Sequence, residues 1–130
     1  MPIGLFGYLI NDDIQVDIHN RRIIRLCIDD EHKILSVNVR MIHIKENQMC
    51  LLSFLLQNSS AKIIKRDDIL DCVWEKRGYR SSYQTLWVTL KELRENLSLI
   101  GLDNDFITKN GTNGYTISAK RIRALTMSNA

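Results

Sequence analysis

Ser81-Ser82-Tyr83-Gln84-Thr85-Leu86-Trp87-Val88-Thr89-Leu90-Lys91-Glu92-Leu93-Arg94-Glu95-Asn96-Leu97 is the stretch whose reading decides the fold. Leu86, Leu90, Leu93 and Leu97 recur at i, i+4, i+7 and i+11. At about 100° per residue they fall in one narrow stripe, the mark of a helix with a single buried face. Ser81-x-x-Gln84 reads as a capping box, in which the serine hydroxyl and the glutamine side chain satisfy each other's backbone amides. The spacing predicts a helix over 81–99, stopped by Gly101. Opposite the leucines it shows Gln84, Trp87, Val88 and Lys91, with Arg94 on the flank. Trp87 lies about 100° from the stripe centre. That angle fits partial burial against whatever follows the helix, or an exposed apolar contact.

Downstream, Phe106-Ile107-Thr108 and Tyr115-Thr116-Ile117 are β-type triplets around Lys109-Asn110-Gly111-Thr112-Asn113-Gly114. Two Asn-Gly pairs tolerate the positive φ of a tight turn, so a hairpin is expected over about 105–118. Upstream, Asp67 and Asp68 sit in the first turn of a helix over 66–76, where negative charge favours the dipole. Ile69, Leu70, Val73 and Trp74 form its apolar stripe. Before it, Met49, Leu52, Leu55 and Leu56 give a helix over 46–58.

The first 45 residues change period. Ile14, Val16 and Ile18 alternate with Gln15 and Asp17, as do Leu35, Val37, Val39 and Met41 with Ser36, Asn38 and Arg40. Turns are signalled at Asn11-Asp12-Asp13, His19-Asn20 and Asp29-Asp30-Glu31-His32. Strands over about 5–45 form an antiparallel meander with one dry face. The order is sheet, three helices and hairpin. Residues 119–130 read as a tail or the start of a linker.

A chain of 130 residues suits one domain. Its 45% hydrophobic and 25% charged residues are ordinary for a globular protein. No run is apolar enough to span a bilayer and no signal peptide is visible, so a soluble, cytoplasmic domain is expected. Cys27, Cys50 and Cys72 show no C-x-x-C spacing and read as small buried hydrophobes. His19, His32 and His43 share no metal-binding spacing. Asp12-Asp13 and Asp67-Asp68 are adjacent pairs whose members point different ways, unlike a catalytic pair. No nucleophile elbow, P-loop or dinucleotide fingerprint occurs. The expectation is therefore no enzyme, no metal and no cofactor.

Charge is uneven. Residues 1–76 carry ten Lys and Arg against eleven Asp and Glu; residues 77–123 carry eight against four. A local net of +4 suggests a polyanionic partner for the C-terminal third. The bland reading is a solvated basic face.

Helix, helix, basic third helix and hairpin make up a winged helix-turn-helix, an α+β fold. Its third helix fits the DNA major groove and its hairpin the adjacent minor groove or backbone. In order, the chain carries Met49-x-Leu51-Leu52, Leu55-Leu56, Arg66-Asp67-Asp68-Ile69-Leu70, Val73-Trp74, Leu90-x-x-Leu93-Arg94-x-x-Leu97, Ile107-Thr108 and Gly114-Tyr115. Over about 8–118 it resembles the output domain of OmpR/PhoB-type response regulators and the cytoplasmic DNA-binding domain of ToxR/CadC-type membrane-anchored activators.

The resemblance implies a four-stranded N-terminal sheet and sequence-specific binding of double-stranded DNA. It also implies transcription control, often by tandem protomers on direct repeats. The implied DNA-binding residues are Ser82, Tyr83, Gln84, Trp87, Val88, Lys91 and Arg94 on the helix. Lys109, Asn110, Thr112 and Asn113 serve on the wing. Arg94 matches a basic position near the phosphate backbone. Glu92 falls where some members place a base-reading arginine; it can accept from cytosine or face water. The Arg77-Gly78-Tyr79-Arg80 loop matches a surface for RNA polymerase, or is an ordinary connector. The chain matches either a stand-alone regulator or the cytoplasmic part of a membrane-anchored one. The competing expectation is a winged-helix interaction module that binds a partner regulator or polymerase without reading DNA itself.

Overall fold

The computed structural model describes residues 4–29 and 36–127. Four antiparallel strands come first: β1 (Gly4–Ile10), β2 (Ile14–Asp17), β3 (Arg22–Asp29) and β4 (Ser36–His43). Asn11 and Asp12 turn the first hairpin with φ of 53° and 66°. Asn and Asp enter that left-handed region more readily than other side chains, and it matches the twist of paired strands. At the second turn Asp17 accepts from Asn20 Nδ2 at 2.9 Å and from Arg22 Nη2 at 2.8 Å. These bonds, with Asn20 first, hold its carboxyl below the usual carboxylate range. The polar break expected over 29–32 falls, from residue 30 on, outside the described residues.

Tyr8, Ile10, Ile14, Val16 and Ile23 are buried and face the helices. The dry face expected of Val39 and Met41 is corrected: they are 63% and 50% exposed. The register pairs Met41 with Ile24 and Val39 with Leu26, on the sheet face away from the core, while Ile42 pairs with buried Ile23. Alternation separates the two faces of a strand but does not say which one the helices cover. Leu35 and the side chain of Val37 lie outside the described residues.

The helices are α1 (Glu46–Gln57), α2 (Arg66–Val73) and α3 (Tyr83–Leu99). Helix α2 stops three residues early. The chain leaves through one 3-10 turn at Glu75–Arg77 and Gly78, whose φ of 84° suits glycine. Helix α3 starts later than expected because its cap is Ser82, not Ser81. Ser82 Oγ accepts from the Thr85 amide at 3.0 Å and meets Thr85 Oγ1 at 2.9 Å. Gln84 is thereby released from capping and lies exposed.

Leu86, Leu90, Leu93 and Leu97 are all buried, as the stripe requires. The end of α3 is closed by Leu102 N donating to Leu97 O at 3.0 Å, with Gly101 at φ 92°. Arg25 of β3 donates to Ile100 O at 3.0 Å and to Asp13 Oδ2 at 3.1 Å. A cation at the negative end of a helix is the favourable placement.

The wing consists of β6 (Ile107–Asn110) and β7 (Gly114–Ile117), turned through Gly111 at φ 68°. A short strand β5 (Ile64–Lys65) joins it, giving the order β5-β7-β6. Gly114 permits this closeness, since a Cβ there would collide with Ile63 and lie 3.0 Å from Ile64 O. Two residues carry no period, so β5 was invisible in the sequence.

The tail expected over 119–130 is corrected more substantially over 122–127, and residues 128–130 lie outside the described residues. Ile122–Met127 form β8, which pairs antiparallel with β1 and makes the first sheet five-stranded, in the order β4-β3-β2-β1-β8. Asn11 seats it: its Oδ1 accepts from the Lys120 and Arg121 amides at 2.8 and 3.2 Å. Arg121 pairs with Asp12 at 3.3 Å. The open edge of β1, not strong patterning, recruits this strand. The cysteines are free and half-buried rather than buried.

Candidate nucleic-acid interface

The leucine stripe presses α3 into the core, and the opposite face is thereby turned to solvent. Gln84, Trp87, Val88 and Lys91 are all exposed on that face. Of the two readings of Trp87, the structure favours exposure over partial burial against the hairpin: the residue is 58% exposed. Its ring lies 5.4 Å from Lys91 Nζ, a cation-π distance. Trp87, Lys91 and Arg94 form one wall of a groove of about 630 Å³, and Thr108 and Lys109 of the wing form the other. Helix and wing thus present one continuous surface.

Arg94, which the resemblance matches to a basic position near the phosphate backbone, is also engaged within the fold. Its Nη2 donates to Ile107 O at 2.7 Å, and its Nε is buried with no partner among the described residues. It ties α3 to the root of the wing. Tyr83 is tied as well: its OH donates to Asp67 Oδ1 at 3.2 Å, and Arg66 stacks 3.6 Å over its ring. Both contacts fix the N-terminus of α3 against α2. Ser82 acts as the cap.

Glu92 keeps 42% of its side chain exposed and is also engaged within the fold. It accepts from Gln48 Nε2 of α1 at 3.0 Å, with Lys45 Nζ at 3.8 Å. Asn96 donates to Gln48 Oε1 at 2.7 Å. Gln48 is only 3% exposed, and both ends of its amide are satisfied. This α1–α3 network was not foreseen. The available signal was a glutamine at the helical spacing of Leu52 and Leu55.

On the wing, Lys109, Asn110, Thr112 and Asn113 are exposed at the tip. Asn110 Nδ2 reaches Lys62 O at 3.4 Å, Thr112 Oγ1 donates to Asn113 Oδ1 at 3.2 Å, and Asn113 O accepts from the Arg66 amide at 2.6 Å. Thr108 Oγ1 pairs with Thr116 Oγ1 at 2.8 Å across the strands. The tip is held by its own polar groups and by α2.

In the connector, Arg77 is committed to α1 and α2. It donates to Val73 O at 3.0 Å and Asn47 Oδ1 at 3.2 Å, and pairs with Glu46 at 3.1 Å. Gly78, Tyr79 and Arg80 remain exposed. Among the described residues no group of His, Cys, Asp and Glu could hold a metal, and no helix is long and apolar enough to cross a membrane.

The family described as "Transcriptional regulatory protein, C terminal" matches residues 39–117. The chain is 34% identical over 88 residues to the sensory transduction protein BceR of Halalkalibacterium halodurans, covering 68% of this chain and 37% of that protein. It is 33% identical over 75 residues to the response regulator protein GraR of Staphylococcus haemolyticus, covering 58% and 32%. The chain thus spans about a third of the length of these relatives. In fold it is similar to the DNA-binding domain of E. coli CadC, with a TM-score of 0.68 and 18% identity over 95% of this chain and all of the other.

Proposed function

Since the chain belongs to the family of transcriptional regulatory protein C-terminal domains, a family of DNA-binding regulator domains and not of enzymes, we propose that it reads specific sequences in double-stranded DNA. Helix α3 enters the major groove and the wing rests on the neighbouring minor groove or backbone. The observation that carries this reading is the continuous exposed surface of Gln84, Trp87, Val88, Lys91 and Lys109, backed by a fully buried leucine face.

Each side chain has a role its chemistry suits. Gln84 can bond adenine bidentately, and Val88 can touch a thymine methyl. Lys91 supplies charge to guanine or phosphate. Trp87 packs its exposed ring on sugar or methyl groups. Lys109, Asn110, Thr112 and Asn113 meet the backbone through the wing, and Arg94 sets the wing's angle. Exposed Gly78, Tyr79 and Arg80 offer a surface to RNA polymerase, and two protomers align in tandem on DNA. The site of action is the cytoplasm, where bacterial DNA lies.

The alternative, a module that binds a partner regulator without reading DNA, drew partly on Glu92 as a misplaced acid in the recognition face. Its engagement by Gln48 gives Glu92 a partner within the fold, which supports the duplex reading. Replacing Lys91 by Ala is expected to weaken duplex binding and lower the slope of log K against log[salt] by about one. Fluorescence anisotropy across a salt series measures both. An unchanged slope takes Lys91 off the phosphate backbone.

A further inference from the structure

A second concavity lies on another side of the molecule, between α1, α2 and the β2–β3 turn, and shares no lining residue with α3 or the wing. Its volume of about 840 Å³ falls within the range of small-molecule sites. Ile18, Met49, Phe54 and Val73 supply apolar lining. Two exposed basic residues of the turn, His19 and Arg21, stand at its rim. Arg77 and Glu46 also line it, but they neutralise each other at 3.1 Å. Among the described residues no acidic side chain pairs with Arg21, so the lining keeps a positive excess. Ser53 lines it as well, and its buried Oγ has no hydrogen-bond partner among the described residues.

We propose that this cavity binds a small amphipathic monoanion, its apolar body against Met49, Phe54 and Val73 and its acidic group at Arg21. The occupant is a low-molecular-weight carboxylate or sulfonate with one apolar ring system or chain. Apolar walls with a few placed polar groups are the usual design of such sites, and the single uncompensated cation selects the charge. This site is independent of the duplex-reading surface, so neither proposal stands or falls with the other.

The cysteines provide an internal test. Cys50 and Cys72 line the cavity, while Cys27 lies on β3 outside it. Burial pushes the Cys50 thiol up, so alkylation is run at mildly alkaline pH and followed at each cysteine by peptide mass spectrometry. The probe is anilinonaphthalene sulfonate, with neutral anilinonaphthalene as its uncharged analogue. The sulfonate is expected to slow alkylation of Cys50 and Cys72 several-fold and leave Cys27 unchanged. The neutral analogue protects much less. Arg21→Asn removes the charge while retaining a residue that accepts the positive φ of 52° at this turn, and it weakens the sulfonate several-fold. No protection, equal protection at Cys27, equal protection by the neutral probe, or an unaltered affinity in Arg21→Asn each overturns the proposal.

Discussion

Leu93→Ala is expected to lower the stability of the domain by about 2–5 kcal/mol, the cost of deleting a buried leucine and leaving a cavity. Leu93 is fully buried, at 0% exposure, where α3 meets the rest of the core. A domain of this kind has only about 5–15 kcal/mol in total, so the variant should melt many degrees early. Urea unfolding followed by tryptophan fluorescence measures it, because Trp74 is 2% exposed and reports on the core. The contrast lies on the same helix. Trp87→Ala, on the solvent face, should stay within about 0.5 kcal/mol of wild type yet lose affinity for duplex DNA. An unchanged urea midpoint for Leu93→Ala would mean that the leucine face of α3 is not core.

The second large effect is expected at Arg94. Its charged hydrogen bond to Ile107 O is 2.7 Å long and half-buried. Bonds of this kind contribute about 1.5–3 kcal/mol, and losing one leaves a carbonyl without its donor. Arg94→Ala should therefore destabilise the fold towards the lower end of that range, given the partial exposure of the pair. It should also weaken duplex binding, since the wing loses its tie to α3, while the salt slope stays near that of wild type. Arg94→Lys keeps the charge but not the planar fork, and is expected to recover only part of both losses. Paired urea and salt-titrated binding experiments separate the roles. A slope lowered by about one with stability intact would make Arg94 a phosphate contact instead of a wing tie.

Much of the fold was legible because its signals are local. The leucine spacing of α3, the acidic first turn of α2 and the Asn110-Gly111 turn each report a period or a φ requirement within a few residues. What escaped depends on partners distant in sequence. β8 carries little alternation and forms because Asn11, more than a hundred residues earlier, offers its side chain to Lys120 and Arg121. β5 exists because Gly114 leaves room for it. The cap moved from Ser81 to Ser82 because two adjacent serines have the same chemistry, and only backbone geometry selects between them.

The candidate site divides in the same way. The helical wheel placed Gln84, Val88 and Lys91 on the outer face, and all three are exposed there. It could not orient residues on the flank. Glu92 is drawn to Gln48, 44 positions away in the chain, and Arg94 is drawn to Ile107. Trp87 was ambiguous by angle, and the fold leaves it 58% exposed.

The central claim is that the exposed face of α3 reads base sequence. Selection of binding sites from random DNA duplexes at moderate salt, with wild type and Gln84→Ala side by side, tests it most directly. The account predicts an enriched motif for wild type, and for Gln84→Ala the same motif relaxed at one position by about 1–3 kcal/mol. No enrichment by wild type, from a protein that is folded and binds its selection pool, would contradict it.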